Sequence, residues 1–568
     1  MILADAERIA RYTARGWWGG RTIDDVFRAG VAAHPDREAV VDAPNRPALT
    51  DGVPRRLDWR QLGDEVARMA ALLRDEGCRR DDVVVVQLAS TVEQAVVALA
   101  LLRLGCVVSP VPVQFREPEL RHVLATSGAT AVVTASRIGR LAAAEVWCRL
   151  ARETAGEGER DLQVFAFGRE VPFSALPLDV ALAGVDPDDA VETQGAGLTA
   201  NDIATVCWSA GAETVPKGVP RSHNEWLAIA PSVVAAAELA PGTRFLTPFP
   251  LVDMAGWSTF TAWLALGGTL VHHHPFELEV FLGQLRTERI DYTVAPPAIV
   301  NRMLQDADRL EGIDFARLRR IGCATAPLSE WMVAGWADRG VEIVHHFGSN
   351  EGVALTGSPR DIAHPALRAR CVAPAGVAAT AGLRTRLVDP DTGETIAGPG
   401  RPGELRVAGP TVFTGYFHAP ELTARAFDDE GFYRSGDLFE IAGDRQELYR
   451  FVGRAKDIVV RGTVKIPAAE VEALLLGHPD VAEAAVVGVP DAALGERVGA
   501  AVVARAGRTP TLEALVAWLA DAPRVAGEEW PERLLVVDAL PRDCAGKVLK
   551  RELRQRFAAA PILDRIAA

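Results

Sequence analysis

Apolar residues recur along the first 375 positions in two alternating patterns. A spacing of about 3.6 residues, as in residues 62–76 and 93–104, predicts helices, whereas short β-branched runs such as residues 82–88 predict buried strands. Further strand-like runs occur at residues 107–112, 204–208, 244–248, 268–272, 292–295 and 341–345. Because alternating strands and helices build parallel sheets with helices on both faces, the pattern predicts two doubly wound α/β subdomains.

The pattern changes in the last third of the chain. Between about residues 377 and 451 the helical spacing fades, and glycine, proline and short alternating runs indicate a small β-rich unit. After residue 453, helical and strand patterns alternate again, at residues 468–476, 481–489, 499–504 and 511–519. They predict a compact α+β domain. Residues 154–199 lack periodicity apart from the apolar run 162–167, so we expect an insertion or long connection there.

Composition and charge narrow the class of protein. A chain of 568 residues corresponds to three or four structural units at roughly 150 residues per unit. Its 49% of hydrophobic and 24% of charged residues are typical of an ordinary globular protein that can bury a large core. The formal net charge of -14 argues against a general nucleic-acid binder, which normally carries a basic face.

The seven cysteines contain no C-x-x-C pair, so we expect neither a disulfide framework nor a structural zinc site. The N-terminus lacks the hydrophobic segment of a signal peptide. The longest apolar stretches, such as residues 95–102, fall far below the ~20 residues that span a bilayer. We therefore expect a cytoplasmic protein without nucleic-acid or membrane partners, and the sequence leaves its oligomeric state open, a homodimer included.

Residues 209–218, SAGAETVPKG, form the first stretch with candidate chemistry. A loop with glycine and hydroxyl side chains that follows a strand can wrap a polyphosphate with its backbone N–H groups, and Lys217 adds a positive charge. It is not a Walker loop, because G-x-x-x-x-G-K-[ST] is absent. By itself the stretch is equally consistent with an ordinary strand-to-helix loop.

Four further segments follow this loop in order: HFGSNE at residues 346–351, YRSGD at 433–437, GRAKD at 453–457 and PRDCAGK at 541–547. Together the five segments resemble the motifs of the adenylate-forming superfamily of acyl-CoA synthetases, nonribosomal-peptide adenylation domains and luciferases. The resemblance covers nearly the whole chain. It implies an α/β fold with a large N-terminal AMP-binding domain, residues 1–455, that contains two doubly wound subdomains and a small β-barrel-like unit. A small mobile α+β domain, residues 456–568, would follow.

The resemblance also implies a two-step reaction that uses ATP, Mg²⁺ and CoA. A carboxylate attacks the α-phosphate of ATP, which yields an acyl adenylate and pyrophosphate, and a thiol of CoA or of a carrier protein then displaces AMP. We expect an acyl-CoA ligase that performs both steps on an apolar acid, such as a natural-product intermediate. The alternatives are an acid–AMP ligase with a separate thioesterifying partner, an enzyme of the second step only, and a non-catalytic adenylate-binding relative.

Individual residues receive roles from the same resemblance. Lys547 and Glu351 are the expected catalytic residues: Lys547 would bridge the acid and the α-phosphate, and Glu351 would hold Mg²⁺. Asp437 would accept the ribose hydroxyls, and Phe347 would stack on the adenine. The other expected nucleotide-binding residues are Ser209, Gly211, Thr214, Lys217, Gly348, Asn350 and Arg454.

The hinge, the thiol tunnel and the acid pocket complete the expected site. Lys456 falls where the family has the hinge on which its small domain rotates. Gly462 falls where a glycine lets a pantetheine arm pass. The expected substrate-pocket residues are Asp253, Trp257, Ala295 and Ala324. They are mostly apolar, which suits a hydrophobic acid. The opening third of the chain looks closest to the bacterial branch that acts on aryl, alicyclic or medium-chain acids.

The sequence departs from the family's motifs at several positions. Glu213 replaces a hydroxyl residue in the phosphate loop, where it would repel a triphosphate unless it turns away or helps to bind Mg²⁺. Asn350 replaces a threonine before Glu351, and its amide can still donate to phosphate. Ala324 stands where a glycine is common. Asp253 replaces a histidine; it could pair with a substrate amine, hydrogen-bond a substrate hydroxyl or a backbone group, or impair the thiol step.

Overall fold

The structure is a computed structural model. It describes residues 1–155, 161–185, 197–209, 215–324, 328–443, 445–462, 464–491, 494–520, 527–542, 548–559 and 563–564. Within these ranges the chain forms four sheets. Two are mostly parallel and come first along the chain; the other two are mostly antiparallel.

Helices and strands alternate through the first 222 residues. In chain order they are α1 (Ala6–Ala14), α2 (Ile23–Ala33), β1 (Glu38–Val41), β2 (Arg56–Asp58), α3 (Trp59–Asp75), β3 (Val83–Val86), α4 (Val92–Leu104), β4 (Val107–Pro110), α5 (Glu117–Ser127), β5 (Ala131–Ala135), α6 (Ala143–Glu153), β6 (Gln163–Phe167), β7 (Leu176–Pro177), α7 (Leu178–Ala183), β8 (Ile203–Trp208) and β9 (Gly218–Ser222). The alternation confirms the predicted α/β class.

The same alternation continues to residue 372. The elements are α8 (His223–Leu227), α9 (Ala230–Ala237), β10 (Arg244–Thr247), α10 (Met254–Leu266), β11 (Thr269–His272), α11 (Leu278–Thr287), β12 (Tyr292–Ala295), α12 (Pro297–Gln305), β13 (Arg320–Cys323), α13 (Glu330–Ala337), β14 (Glu342–Gly348), β15 (Ala354–Gly357), α14 (Pro365–Arg370) and β16 (Cys371–Val372).

The last third is richer in strands. Its elements are β17 (Arg384–Val388), β18 (Thr395–Ile396), β19 (Gly403–Ala408), α15 (Pro420–Ala426), β20 (Tyr433–Ile441), β21 (Tyr449–Arg454), β22 (Ile458–Arg461), β23 (Val464–Pro467), α16 (Ala468–Leu475), β24 (Val481–Asp491), β25 (Gly495–Ala504), α17 (Leu512–Ala520), β26 (Arg533–Val536), α18 (Lys550–Ala559) and β27 (Leu563–Asp564).

Strand order divides the first 357 residues into two sheets. One sheet has the order β7-β6-β5-β3-β4-β8-β9 and is parallel except for the β8–β9 pair. The other has the order β15-β14-β13-β12-β10-β11-β1-β2 and is parallel except at its two ends. Strands β1 and β2 come from the start of the chain. They nevertheless join this sheet beside β11, which lies more than 200 residues further along the chain.

Three apolar cores pack against these two sheets: one lies between the sheets, and one lies on the outer face of each. Successive side chains of a strand point to opposite faces, so Val84 of β3 lies in the core between the sheets while Val83 and Val85 lie in the core on the outer face. Helices α2, α3, α4 and α10 fill the space between the sheets. Almost every side chain of α4 is buried, which explains why its sequence is apolar on all sides.

The two C-terminal sheets match the predicted change of pattern. Strands β16 to β21 form an antiparallel sheet of order β16-β21-β20-β19-β17-β18. The final sheet, β23-β22-β25-β26-β27 with β24 beside β25, begins at Ile458, two residues after the predicted hinge at Lys456. Helices α16 and α17 cover one of its faces through a core of their own.

The described residues include no helix long and apolar enough to cross a membrane.

Replacing Trp59 with alanine tests the central core. Trp59 is fully buried, stacks on Trp263 at 5.2 Å between ring centroids, and donates from Nε1 to the Gly268 carbonyl at 3.1 Å. We expect Trp59→Ala to cost about 3–5 kcal/mol, since a large cavity opens between the sheets. At about 2 cal/mol/K per residue, that cost lowers the unfolding midpoint of the large domain by roughly 3–5 °C in calorimetry.

Phe173→Ala is the control, because the Phe173 side chain is fully exposed. We expect its unfolding midpoint to stay within about 1 °C of the parent. Equal midpoint shifts for both variants would contradict the assignment of the central core.

Candidate functional site

A cavity of about 1230 Å³ lies between the large N-terminal part of the chain and the C-terminal sheet. One wall carries residues of three predicted motifs, Phe347, Gly348, Asp437, Gly453 and Arg454. The opposite wall comes from α16 and from residues near the last predicted motif, Arg542, Val548 and Lys550. Segments that lie more than 200 residues apart in sequence therefore face one space.

Asp437 and Arg454 sit opposite each other on neighbouring strands of that wall. They are register partners of β20 and β21, and Arg454 Nε lies 3.1 Å from Asp437 Oδ1. Asp437 is buried, and its backbone N–H donates to Ser435 Oγ at 3.1 Å. This fixed carboxylate, held by a cation, has the chemistry to accept a pair of hydroxyl groups.

Phe347 lies on the same wall, near the end of β14. Its ring is half-buried and meets Phe439 edge-on at 4.9 Å and Phe451 at 5.5 Å. These contacts hold the ring as part of an aromatic cluster that borders the cavity. Stacking of an adenine on Phe347 stays a prediction. Gly348 is exposed beside it, where a Cβ atom would come within 2.9 Å of the Val353 carbonyl.

Two tyrosines orient the carboxylate of Glu351. The Tyr416 hydroxyl donates to Glu351 Oε1 at 3.0 Å, and the Tyr433 hydroxyl hydrogen-bonds Tyr416 in turn. Burial, and then the charge of Glu351, raise the pKa of both phenols, so both stay protonated and able to donate. Lys217 Nζ lies 4.9 Å from the Tyr416 ring centroid, which brings the phosphate-loop lysine beside the same group.

The residues around Glu351 fit Mg²⁺. This ion is commonly held by one or two carboxylates together with substrate phosphates and waters. Within the described part of the chain no cluster of three or more His, Cys, Asp or Glu side chains could hold a metal by itself. A single oriented carboxylate beside a lysine suits a metal that arrives with a polyphosphate.

The phosphate loop is described at its two ends. Ser209 N–H donates to the Lys217 carbonyl at 2.9 Å, and Lys217 N–H donates to Ser209 Oγ at 3.1 Å, so the ends of the loop are closed on each other. Gly211 and Thr214, with Glu213 between them, lie outside the described residues. Their expected contacts with phosphate stay predictions.

Asn350 and Asp253 both engage the start of helix α10. Asn350 Oδ1 accepts from Met254 N–H at 2.8 Å, so its Nδ2 group is the donor that would serve a phosphate. Asp253 is the N-cap of α10, and its Oδ1 accepts from Ala255 N–H at 3.0 Å and Gly256 N–H at 3.2 Å. Of the roles that the sequence leaves open for Asp253, the structure shows a hydrogen bond to backbone groups.

The four expected acid-pocket residues do not border the large cavity. Trp257 is fully buried in the central core, where its indole stacks on Trp226 at 5.7 Å and meets Phe260 at 5.4 Å. Ala295 is also fully buried, whereas Ala324 is half-buried. The structure thus places Trp257 in the packing between the sheets, because α10 is apolar on all sides and surrounded by helices and strands.

The C-terminal predictions have different outcomes. Lys456 is exposed in a short 3₁₀ turn, Ala455–Asp457, that joins the last two sheets. Gly462 lies at the β22–β23 turn with φ +61°, and its N–H donates to the Leu494 carbonyl at 2.7 Å, so turn geometry alone accounts for a glycine there. Lys547 lies outside the described residues, although Arg542 and Val548 on either side of it border the cavity.

Sequence reasoning missed Tyr416, Tyr433 and Arg221. Tyr433 opens the YRSGD motif, but its role depends on Tyr416, a residue that no spacing pattern marks within the largely apolar run 411–417. Arg221 is fully buried, and its Nη1 donates to the Asn350 carbonyl at 2.9 Å. Nothing in the sequence around Arg221, three residues after the phosphate loop, indicates that this arginine is buried.

Comparison with known families covers most of the chain. The family model described as AMP-binding enzyme matches residues 27–417, and the model described as AMP-binding enzyme C-terminal domain matches residues 470–547. The two matches include the phosphate loop, the Glu351 turn and the segment that contains Lys547. They leave helix α1 outside.

Individual relatives match along nearly their full length. Medium-chain fatty-acid–CoA ligase of Escherichia coli (strain K12) is 30% identical over 97% of this chain and 93% of that protein. Salicyl-AMP ligase / salicyl-S-ArCP synthetase of Mycobacterium tuberculosis (strain ATCC 25618 / H37Rv) is 31% identical over 98% of this chain and 94% of that protein. The crystal structure of ATP-bound MatB from Rhodopseudomonas palustris has a TM-score of 0.78 at 24% identity, covers 94% of this chain and 99% of that chain, and supports the fold alone.

Gly352→Ala tests the turn that carries Glu351. Gly352 has φ +100°, and a Cβ atom there would lie 1.8 Å from the Thr411 carbonyl oxygen, so the backbone at 351–352 or at 411–412 must move. We expect the affinity for ATP with Mg²⁺, measured by isothermal titration calorimetry, to fall at least about tenfold, the effect of about 1.4 kcal/mol.

Gly340→Ala is the matched control. Gly340 also has a positive φ, +77°, but a Cβ atom there meets nothing within 4 Å. It carries the strain of the left-handed conformation without the clash, so ATP affinity should stay at the parent value. An unchanged affinity in Gly352→Ala would show that the packing of this turn does not matter for the nucleotide.

Proposed function

The chain belongs to the AMP-binding enzyme family of acid-adenylating ligases, and on that premise we propose that it activates a hydrophobic carboxylic acid as an acyl-AMP and transfers the acyl group to CoA. The observation that carries this proposal is the cavity that Asp437, Arg454 and Phe347 share with Arg542 and Val548. It supports a site in which a nucleotide bound on one wall is within reach of the segment that contains Lys547.

In the adenylation step, a carboxylate oxygen of the acid bonds to the α-phosphorus of ATP. The bond between that phosphorus and the bridging oxygen of the β-phosphate breaks, and pyrophosphate leaves with the electron pair. The ammonium group of Lys547 would lie between the acid and the α-phosphate, where it stabilises the negative charge of the transition state. Mg²⁺, when bound, would neutralise phosphate charge, and Glu351 is the residue that would hold it.

Groups on the cavity wall would orient the nucleotide. Asp437 would accept the ribose hydroxyls while Arg454 keeps its carboxylate in place. Phe347 would cover one face of the adenine. Lys217, together with Ser209 at the closed ends of the phosphate loop, would contact the β- and γ-phosphates. Each of these groups would act by its position and charge. Positioning and electrostatic stabilisation together account for a large part of the lowering of the barrier to such a transfer.

In the second step the sulfur of CoA bonds to the acyl carbon. The bond from that carbon to the phosphate oxygen breaks, AMP leaves, and the thiol proton passes to solvent. We propose that rotation at Lys456 brings the Gly462 turn to the site for this step. Gly462 is exposed at the tip of the β22–β23 turn, as a surface that approaches a pantetheine arm would require.

A second candidate is an acid–AMP ligase that passes its adenylate to a carrier protein. The 31% identity to a protein named salicyl-AMP ligase / salicyl-S-ArCP synthetase supports it. Thioester formation separates the two: acyl-CoA formed from acid, ATP and CoA supports the first proposal, whereas pyrophosphate exchange without acyl-CoA supports the second.

Asp437→Asn tests the ribose contact. We expect the variant to bind ATP at least about tenfold more weakly than the parent, because a neutral amide loses one acceptor and the pairing with Arg454. Calorimetry with 2′-deoxy-ATP completes a thermodynamic cycle, in which the loss of a ribose hydroxyl is combined with the loss of the Asp437 carboxylate. The parent should bind the deoxynucleotide more weakly than ATP, and Asp437→Asn should bind the two nucleotides alike.

Asp428→Asn is the matched control for this cycle. Asp428 is a buried carboxylate near the same sheet, paired with Arg386 and Arg406, and it does not border the cavity. Its discrimination between the two nucleotides should match the parent. A variant at Asp437 that still discriminates against the deoxynucleotide would place the ribose elsewhere.

Lys547→Ala should separate the two half-reactions. We expect it to abolish acid-dependent pyrophosphate exchange by at least about a thousandfold, because the charge that stabilises the transition state is lost. Thioester formation from a synthetic acyl-AMP and CoA should continue. Arg551→Ala, an exposed cation four residues further on, should keep both activities. Loss of both half-reactions in Lys547→Ala would contradict this division of roles.

A further inference from the structure

Arg221 lies directly behind the turn that carries Glu351, with its side chain 0% exposed. Its guanidinium group donates to two backbone carbonyls: Nη1 to Asn350 at 2.9 Å and Nη2 to Glu225 at 3.0 Å. The same group lies over the Trp226 ring at 4.4 Å. The planar guanidinium therefore spans from helix α8 to the turn, a reach and geometry that suit arginine.

A buried carboxylate and a second arginine hold this guanidinium. Glu225, 2% exposed, has its Oε2 3.8 Å from Arg221 Nε, and Arg8 Nη2 lies 3.4 Å from Glu225 Oε1. Burial lowers the pKa of Arg221, and the carboxylates of Glu225 and Glu351 oppose that shift. The row Arg8–Glu225–Arg221 compensates a charge that would otherwise be costly to bury.

Arg8 also holds the turn from its other side. It donates to the Val412 carbonyl; the next residue, Phe413, donates from its N–H to the Glu351 carbonyl at 3.0 Å. Thr411 Oγ1 donates to the Gly352 carbonyl at 2.8 Å. The backbone of residues 350–352 is thus bonded at three consecutive carbonyls, by Arg221, Phe413 and Thr411, and Arg8 connects two of these supports.

We propose that Arg221 is a positioning residue for the adenylation step. Its guanidinium group holds the backbone of residues 350–351 so that the Glu351 carboxylate faces the nucleotide phosphates. Glu225 and Arg8 keep Arg221 in place. This inference rests on the proposed function, because it assigns Glu351 to the metal–phosphate group. Helix α1, which supplies Arg8, lies outside the residues 27–417 that match the family model.

The test measures ATP binding by calorimetry in EDTA and in Mg²⁺, without any acid. The ratio of the two affinities reports the coupling between nucleotide and metal. In Arg221→Met the affinity in EDTA should stay within about twofold of the parent, while the gain on adding Mg²⁺ should fall at least about tenfold. Arg221→Lys keeps the charge but reaches only one carbonyl, and should recover part of the gain.

Arg103→Met is the matched control. Arg103 is also a largely buried arginine, pairs with a fully buried carboxylate, Asp24, at 3.1 Å, and lies over an aromatic ring, that of Phe27. It should lower thermal stability without changing the Mg²⁺-dependent gain. Should Arg221→Met fail to fold, Arg221→Lys and Arg8→Met decide, and Arg8→Met should reduce the gain in the same direction by a smaller factor.

A parental Mg²⁺-dependent gain in the foldable Arg221 variants, or an equal loss of that gain in Arg103→Met, would overturn the inference. A parent protein without any Mg²⁺-dependent gain would overturn it as well. Failure of the proposed function is separate, since it would show as absent pyrophosphate exchange with every acid while the effect of Arg221 on nucleotide binding remained.

Discussion

A carboxylate can serve a metal–phosphate group only if its orientation is fixed, and the turn that carries Glu351 meets this requirement from several sides. Tyr416 donates to the carboxylate itself, while Arg221 donates to the preceding backbone carbonyl. Each support comes from a different part of the chain, so tertiary contacts hold the turn in addition to its local hydrogen bonds, such as that from Gly352 N–H to the Ser349 carbonyl at 3.0 Å. Its geometry depends on the packing of the whole large domain.

The central core provides that packing. Two mostly parallel sheets enclose α4 and α10, whose side chains are apolar on all sides, and the turn follows β14 at the edge of one sheet. Asn350 and Asp253 both bond the first turn of α10, so the Glu351 turn and this buried helix are joined at one point. The support lies on the side of the cleft that would stay fixed during the rotation we propose at Lys456.

That division fits the chemistry of an acid-adenylating ligase. In the mechanism that we propose, the paired Asp437 and Arg454 would bind the nucleotide in both half-reactions, whereas Lys547 would act in the first and Gly462 in the second. The loop at residues 209–218 has Glu213 where the motif it resembles has a hydroxyl residue. Arg8 and Arg221 support the turn that carries Glu351, which we propose faces the nucleotide phosphates.

Much of the fold was determined by local sequence. The periodicity of α3 and β3, and the order of five short motifs, predicted the α/β class and the family, because these signals depend on residues close together along the chain. The partners of Glu351, the pairing of β1 with β11 and the burial of Trp257 were decided only by tertiary structure. An apolar residue such as Trp257 can line a pocket or fill a core, and a buried arginine looks like an exposed one in sequence. Which of these occurs depends on the elements that pack against the residue in the folded chain, such as the turn at Asn350 against Arg221, and no local pattern records that contact.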